Sequence, residues 1–124
     1  MIFGVGIDMV EVERIATSIG KESGFREMVF SAAEIDYCES KKHKFEHYAA
    51  RFAAKEAFFK AWGTGWTDDT WFNEVEVIKT NSGKPEIKLT GSTLETVGKS
   101  GNIKISVSLT HTKTAASAIV IIEK

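Results

Sequence analysis

The longest helical pattern in the chain is YAARFAAKEAFFKAW, residues 48–62. Alanine is the strongest helix former, and no proline or glycine interrupts the run. The pattern extends back to Phe45, so we predict one long helix over residues 45–62. It should end at the Gly-Thr-Gly sequence of residues 63–65, because glycine commonly terminates helices.

One charged residue of this helix lies inside an apolar stripe. At 100° per residue, a narrow arc of the helix contains Phe45, Ala49, Phe52, Glu56 and Phe59. A buried carboxylate needs a cation, a metal or hydrogen-bond donors, so Glu56 is a candidate functional residue. The alternative is an ordinary i,i+4 surface pair with Lys60.

Residues 2–8 alternate apolar side chains with glycine and one carboxylate. This predicts a strand whose second face, Gly4 and Gly6, has no side chains and can accept a close neighbour. Asp8 and Glu11 have the spacing of a helix N-terminal cap, which predicts a helix from Met9 to Gly20. Asp8 is therefore either a cap or, because the bare face beside it leaves room, a ligand-binding residue.

The rest of the chain contains shorter elements. We predict a helix over residues 32–39 that Ser31 precedes as its cap. A second short helix should begin at a capping box of Ser92 and Glu95 and end near Gly98. Strands are predicted over residues 72–78, 86–89, 103–109 and 116–122, with a hairpin between the first two and antiparallel pairing of the last two. The predicted fold is α+β: a single domain over residues 1–124, with helices of the first half packed on a mainly antiparallel sheet.

Composition excludes several classes of function. Sixteen basic and seventeen acidic residues leave a net charge of -1, which argues against nucleic-acid binding and against an anionic membrane surface as partner. No apolar run approaches the roughly 20 residues of a membrane-spanning helix. The N-terminus lacks a signal-peptide pattern, and the single Cys38 cannot form an internal disulfide. These features predict a cytoplasmic protein.

Two carboxylates from separate elements, Asp8 and Glu56, suit a hard cation such as Mg²⁺ that takes phosphates and waters as further ligands. The basic residues that could hold those phosphates are Arg51, Lys55, Lys60 and Lys84. The alternative for each of them is a solvated surface charge.

Two further positions have both an ordinary and a functional interpretation. The backbone amides of Gly63 and Gly65 could contact a ligand, but the same sequence is typical of a helix C-cap. His111 lies between the last two predicted strands. It is either a hydrogen-bonded turn residue or a group that contacts a phosphate or ribose or transfers a proton.

Several blocks of sequence together resemble a known family. They are GIDMVEVERI at residues 6–15, Phe30 with Glu34, RFAAKEA at 51–57 continuing through KAWGTG at 60–65, GKP at 83–85, and SLTH at 108–111. This combination resembles holo-acyl-carrier-protein synthase, the short class of phosphopantetheinyl transferases. The resemblance implies the 4′-phosphopantetheinyl transferase fold.

The resemblance also implies a site. Asp8 and Glu56 would ligate Mg²⁺, which would also bind the pyrophosphate of coenzyme A, and Lys60 would face the phosphate on which charge accumulates. Arg51 and His111 would hold the phosphates of the nucleotide. The remaining coenzyme A contacts would be Gly63, Gly65, Gly83, Lys84 and Pro85.

The implied reaction is Mg²⁺-dependent transfer of 4′-phosphopantetheine from coenzyme A to a serine of apo-acyl carrier protein, releasing 3′,5′-ADP and supporting fatty acid biosynthesis. The base is either Glu56 or a metal-bound hydroxide. The family also implies a homotrimer with active sites at subunit interfaces, and an acidic carrier-protein helix docked on basic residues of the first helix. Here that helix region alternates the basic residues Arg14, Lys21 and Arg26 with three glutamates.

Two other functional classes remain open at this point. One is a non-catalytic module of the same fold that binds coenzyme A or a carrier protein. The other is a plain interaction domain in which Asp8 caps a helix and Glu56 forms a salt bridge. Mg²⁺-dependent stabilisation by coenzyme A separates the last class from the others.

Overall fold

The computed structural model describes residues 1–64, 67 and 69–124. In chain order its elements are β1 (Ile2–Glu11), α1 (Val12–Gly20), α2 (Phe25–Val29), α3 (Ala32–Glu39), α4 (Lys44–Trp62), a 3-10 turn (Phe72–Glu74), β2 (Val75–Lys79), β3 (Pro85–Leu89), α5 (Gly91–Gly98), β4 (Lys104–His111) and β5 (Ala115–Glu123). The strands form a three-stranded sheet in the order β1-β5-β4 and a two-stranded sheet of β2 and β3. Every pair of neighbouring strands is antiparallel. The predicted α+β class is confirmed.

Helix α4 is the centre of the structure. Twelve of its nineteen residues are buried, so it is covered on most of its circumference rather than along one stripe. It packs on one face of the three-stranded sheet, and Tyr48, Ala53 and Phe58 have no exposed surface. Glu56 is half-buried and Lys60 is exposed, so these two side chains mark where α4 reaches the surface. The abundance of alanine allows this close packing on several sides.

The glycine face of β1 packs directly against the backbone of α4. A Cβ atom at Gly4 would overlap the carbonyl oxygen of Ala61, and one at Gly6 would overlap that of Ala57. The predicted close neighbour is therefore confirmed, and it is a helix. The expectation that this face leaves room for a ligand is wrong, because the α4 backbone fills the space.

The boundary between β1 and α1 differs from the prediction. Strand β1 pairs with β5 as far as Glu11, opposite Ala115, so α1 begins at Val12 rather than at Met9. The N-cap of α1 is Glu11, whose side chain makes no capping hydrogen bond. Asp8 lies inside the strand, and its interpretation as a helix cap is wrong because the β5 pairing continues past it.

The shorter elements follow the predictions with two corrections and one addition. Ser31 starts α3, as expected, through a capping box with Glu34. The addition is α2, a helix of five residues that was not predicted. The predicted Ser92/Glu95 box is wrong: a carboxylate from outside the helix, that of Glu74, accepts hydrogen bonds from the amides of Ser92 and Thr93. The β2–β3 hairpin is confirmed, but β2 begins at Val75 because the preceding residues form the 3-10 turn.

Lys55 belongs to the core and is not a phosphate ligand. Its Nζ atom lies 2.7 Å from Glu34 Oε1, both side chains are 0% exposed, and it also donates to the carbonyl oxygens of Phe72 and Val75 at 3.0 and 2.6 Å. Burial lowers the pKa of Lys55, and the charge of Glu34 opposes this shift. Glu34 also accepts hydrogen bonds from the amides of Ser31 and Val77. The pair therefore joins α3, α4 and β2.

Removing Lys55 should destabilise the fold strongly. Lys55→Met leaves the Glu34 carboxylate buried without its cation, so we expect a loss of about 3–5 kcal/mol in the free energy of unfolding, measured by urea denaturation. The control is Lys44→Met, on the same helix, which breaks an exposed pair with Glu39 at 3.2 Å. It should cost less than about 1 kcal/mol. Equal losses would contradict the assignment of Lys55 to the core.

Gly6→Ala should also destabilise the protein, because the added methyl group would push β1 away from α4. We expect a loss of about 1–3 kcal/mol or more in urea denaturation. Gly20→Ala is the matched control, since nothing lies within 4 Å of a Cβ atom there. That variant should be neutral or slightly stabilised. An unchanged stability of Gly6→Ala would contradict the close β1–α4 contact.

Candidate functional site

Asp8 projects from the face of β1 that packs on α4, the face that also contains Gly4, Gly6 and Val10. Lys60 of α4 reaches this strand: its Nζ atom lies 3.1 Å from Asp8 Oδ1 and donates to the carbonyl oxygen of Ile7 at 3.0 Å. Lys60 therefore pairs with Asp8 and not in the i,i+4 pair with Glu56 that the helical spacing allowed. β1 and α4 together bring the carboxylate of Asp8 next to the exposed end of α4.

Glu56 is electrostatically coupled to Asp8. Burial raises the pKa of the Glu56 carboxyl, and the negative charge of Asp8 raises it further, while Lys60 and Arg14 act in the opposite direction. A cation would offset the negative charge that Asp8 exerts on Glu56. Both side chains offer only oxygen atoms as ligands, which suits a hard ion such as Mg²⁺.

The carboxylate pair is not a complete metal site. Within residues 1–64, 67 and 69–124, no group of three or more His, Cys, Asp and Glu side chains is arranged to hold a metal ion. A metal at Asp8 and Glu56 would need its other ligands from water and substrate. This is the usual situation for Mg²⁺, which keeps several waters and binds substrate phosphates.

A cavity of about 210 Å³ lies beside α4, between α3, the β2–β3 hairpin and the end of β4. Four of the predicted coenzyme A contacts line it: Arg51, Gly83, Pro85 and His111. They come from three separate elements that are distant in sequence. The structure thus brings together most of the residues for which a nucleotide-binding role was predicted.

Arg51 presents a free hydrogen-bond donor in this region. Its Nε atom is buried and has no partner within the described part of the chain. The guanidinium carbon lies 4.1 Å from the centre of the Tyr37 ring, which is a cation–π contact that orients the side chain. A buried unsatisfied donor is unusual in proteins, and it marks Arg51 as a candidate functional residue.

His111 is the last residue of β4, and its Nδ1 atom lies 3.0 Å from Glu46 Oε1. The ordinary interpretation, a hydrogen-bonded histidine, therefore holds in this state. Its ring also lies against that of His47, with 5.1 Å between centroids. His111 is half-buried at the cavity, so the hydrogen bond to Glu46 positions it there without removing it from contact with a ligand.

The other predicted contacts lie outside this cavity or outside the described residues. Gly63 is the C-cap of α4: its φ is 94°, and its amide N–H donates to the carbonyl oxygen of Phe59. Lys84 is exposed in the hairpin turn, where its carbonyl accepts a hydrogen bond from Thr80. Gly65 lies outside the described residues.

Sequence reasoning missed three polar residues of the cavity: Tyr37, His47 and Lys79. Lys79 donates to the Tyr37 hydroxyl at 3.2 Å, and the nearby cations lower the pKa of Tyr37 although its burial acts in the opposite direction. His47 precedes Arg51 by one helical turn, so helical spacing could have indicated it. Nothing in the sequence relates Tyr37 or Lys79 to Arg51.

The carboxylate pair and the cavity are neighbours along α4. Arg51 and Glu56 are five residues apart, which is about 7.5 Å along the helix axis. The strand register places Asp8 and His111 on the same face of the sheet. Asp8 pairs with Ala118, Ala118 pairs with Leu109, and His111 lies two residues beyond Leu109 on β4. Arg51 and Glu56 are also about 140° apart around the helix, so the two regions adjoin along the axis but face different sides of α4.

Comparison with known proteins gives a consistent result. A profile of the 4′-phosphopantetheinyl transferase superfamily matches residues 4–118. The chain is 44% identical over 128 residues to holo-[acyl-carrier-protein] synthase of Cytophaga hutchinsonii, covering 100% of this chain and 99% of that protein.

Solved structures show the same relationship. The crystal structure of holo-[acyl-carrier-protein] synthase from Neisseria meningitidis matches with a TM-score of 0.92 and 30% identity over 100% of both chains. That of the Bacillus anthracis synthase in complex with coenzyme A (3′,5′-ADP) matches with a TM-score of 0.83 and 32% identity, covering 100% of this chain and 98% of that one. The chain therefore belongs to the 4′-phosphopantetheinyl transferase superfamily, as a transferase of the holo-[acyl-carrier-protein] synthase family.

Proposed function

We propose that this chain transfers 4′-phosphopantetheine from coenzyme A to a serine of an apo-acyl carrier protein and releases 3′,5′-ADP, in an Mg²⁺-dependent reaction of fatty acid biosynthesis. The observation that carries the proposal is the coupled pair Asp8 and Glu56, with Lys60 3.1 Å from Asp8, next to a cavity lined by Arg51 and His111. Coenzyme A has a pyrophosphate that the carboxylate pair and a metal would bind, joined to a nucleotide whose further phosphate the cavity would bind.

Asp8 and Glu56 are the residues that would hold Mg²⁺. Burial, and then the negative charge of Asp8, raises the pKa of the Glu56 carboxyl, and a bound cation would relieve both effects. The bound ion would neutralise the pyrophosphate oxygens and polarise the reacting phosphorus. The chain itself supplies the positions of these two carboxylates through the β1–α4 contact.

Lys60 would stabilise the leaving group. Its side chain is 53% exposed and is held at Asp8, so it can turn toward a phosphate on which negative charge develops. Arg51 and His111 would hold the phosphates of the nucleotide, and Gly83, Lys84 and Pro85 would line the adenosine site. Gly63 and Gly65 would offer backbone amides at the end of α4.

The reaction forms a bond between the carrier serine oxygen and the β-phosphorus of coenzyme A, and it breaks the bond from that phosphorus to 3′,5′-ADP. The serine proton must pass to a base. Glu56 is the base that we favour among the residues of this chain, because burial raises the pKa of its carboxyl toward the working pH.

The carrier protein would approach over α1. Arg14 of this helix is close enough to Glu56 to influence its pKa, so an acidic partner bound at Arg14 would place its serine near the carboxylate pair. Lys21 is exposed, whereas Arg26 is already paired with Glu27 and Glu39. Docking would therefore rest mainly on Arg14 and Lys21.

We also propose one domain, a cytoplasmic location and a homotrimer. The buried apolar residues form one contiguous cluster. The described helices include none long and apolar enough to cross a membrane. The β1 part of the sheet face opposite α4 is apolar and open, with Val5, Ile7 and Met9 being 54%, 62% and 72% exposed. Exposed apolar patches of this kind mark protein interfaces, which supports subunit contacts at this sheet.

Transfer is tested by mass spectrometry of an apo-acyl carrier protein after incubation with this protein, coenzyme A and Mg²⁺. We expect a gain of about 340 Da that EDTA abolishes. Glu56→Gln should reduce the rate at least about 100-fold, because it removes one metal ligand and the base. Glu95→Gln, an exposed carboxamide substitution on α5, is the control and should retain the wild-type rate.

Full activity of Glu56→Gln would remove Glu56 from the mechanism. Absence of transfer to any carrier, with coenzyme A still bound, would instead favour the non-catalytic binding module. Absence of both transfer and binding would contradict the whole assignment.

The subunit contact is tested by light scattering on a size-exclusion column. We expect a trimer for the wild type and dissociation for Val5→Glu, because the charge would be desolvated in the interface. Leu94→Glu is the control, since Leu94 is exposed on α5, away from the sheet face. A wild-type monomer, or a Val5→Glu variant that remains trimeric, would contradict the proposed interface.

A further inference from the structure

His47 lies in the wall of the cavity beside Arg51 and His111. Its ring packs edge-on against Tyr37 and His111, with centroid distances of 5.8 and 5.1 Å. Within residues 1–64, 67 and 69–124, its nitrogen atoms make no hydrogen bond or ion pair. The ring is thus held in place by aromatic contacts while both nitrogens remain available to a ligand.

The groups around His47 are mostly cationic. Arg51 comes from α4, Lys41 from the segment after α3, Lys79 from β2 and His111 from β4, and three of these cations gather around the ring of Tyr37. The acidic group that faces His47 is Glu46, which is hydrogen-bonded to His111 at 3.0 Å. An anion in the cavity would meet several positive charges and little competition from carboxylates.

Burial and this surplus of positive charge both favour the neutral imidazole of His47 in the absence of an anion. Burial lowers the pKa of its imidazole below the ordinary value of 6.5, and His111, Arg51 and Lys41 lower it further, whereas Glu46 acts in the opposite direction. A phosphate group would reverse the balance, because a dianion within the cavity favours the charged imidazole.

We propose that His47 is an additional phosphate-binding residue of this cavity, and that it takes up a proton when the phosphate of the nucleotide enters. The unpaired Nε of Arg51 is the second sign that the cavity is built for an anion. The inference rests on the proposed function, since it takes the anion to be a phosphate monoester of coenzyme A. The proposal adds His47 to the predicted phosphate contacts and makes nucleotide binding depend on pH through this residue.

The direction of the pH effect follows from linkage. Above the pKa of His47 in the complex, the ring is neutral in both states and contributes no charge. Below the pKa of the free protein, it is charged in both states and its contribution to affinity is complete. Between the two values binding takes up a proton, and affinity falls as pH rises. Each unit by which the ligand raises this pKa corresponds to about a tenfold change in affinity across that window.

The test is isothermal titration calorimetry of the full chain with 3′,5′-ADP, in two buffers that differ in ionisation enthalpy, from about pH 5.5 to pH 8.5, the range in which histidine titrates. The wild type is compared with His47→Phe, which keeps an aromatic ring against Tyr37 and His111 but cannot be protonated. Subtracting the proton uptake of the variant from that of the wild type cancels the protons that the phosphate itself exchanges. Thermal melting of the variant, and a parallel His47→Gln variant, control for folding.

We expect the wild type to take up more protons than either variant, and its affinity advantage to disappear at high pH. An NMR titration of the His47 Cε1 proton in the wild type measures the same quantity without a substitution, and its pKa should rise when 3′,5′-ADP binds. Equal proton uptake in wild type and variants, or an unchanged His47 pKa in the complex, overturns the role of His47 while leaving nucleotide binding intact. No binding of 3′,5′-ADP to the wild type overturns both the role of His47 and the proposed function.

Discussion

The contact between the glycine face of β1 and the backbone of α4 determines where Asp8, Glu56 and Lys60 of the candidate site lie. Because Gly4 and Gly6 have no side chains, the helix approaches the strand as closely as backbone atoms allow. Asp8 follows these glycines on the same face, and Glu56 and Lys60 lie on the helix that the glycines admit. A wider separation would keep Lys60 from reaching Asp8 and would weaken the coupling between the two carboxylates.

The remainder of the fold holds α4 in this position. The buried Lys55–Glu34 pair ties the helix to α3 and β2, and the three-stranded sheet covers its opposite side. Lys55 and Lys60 are five residues apart on one helix, yet the first is 0% exposed in an ion pair and the second is 53% exposed at the site. Burial decides which lysine stabilises the fold and which is free to meet a substrate.

The cavity differs in kind from the carboxylate pair. It is formed by loops and element ends from α3, the β2–β3 hairpin and β4 against the middle of α4, and its charge is predominantly positive. The two regions adjoin along the helix axis with opposite charge. This polarity suits a ligand whose phosphates are partly bridged by a cation and partly held by arginine and histidine.

The sequence alone determined the fold class, the long helix, the hairpin and the terminal strand pair, because these depend on local periodicity and turn residues. It also indicated Asp8, Glu56 and Lys60 through the family blocks that contain them. It placed α1 three residues early, and it offered Lys55 either as a phosphate-binding candidate or as a solvated charge, whereas Lys55 is buried. The extent of strand pairing and the burial of a charge depend on residues distant in sequence. Only the tertiary structure brought Tyr37, His47 and Lys79 to Arg51, since contacts among separate elements leave no pattern in the order of residues.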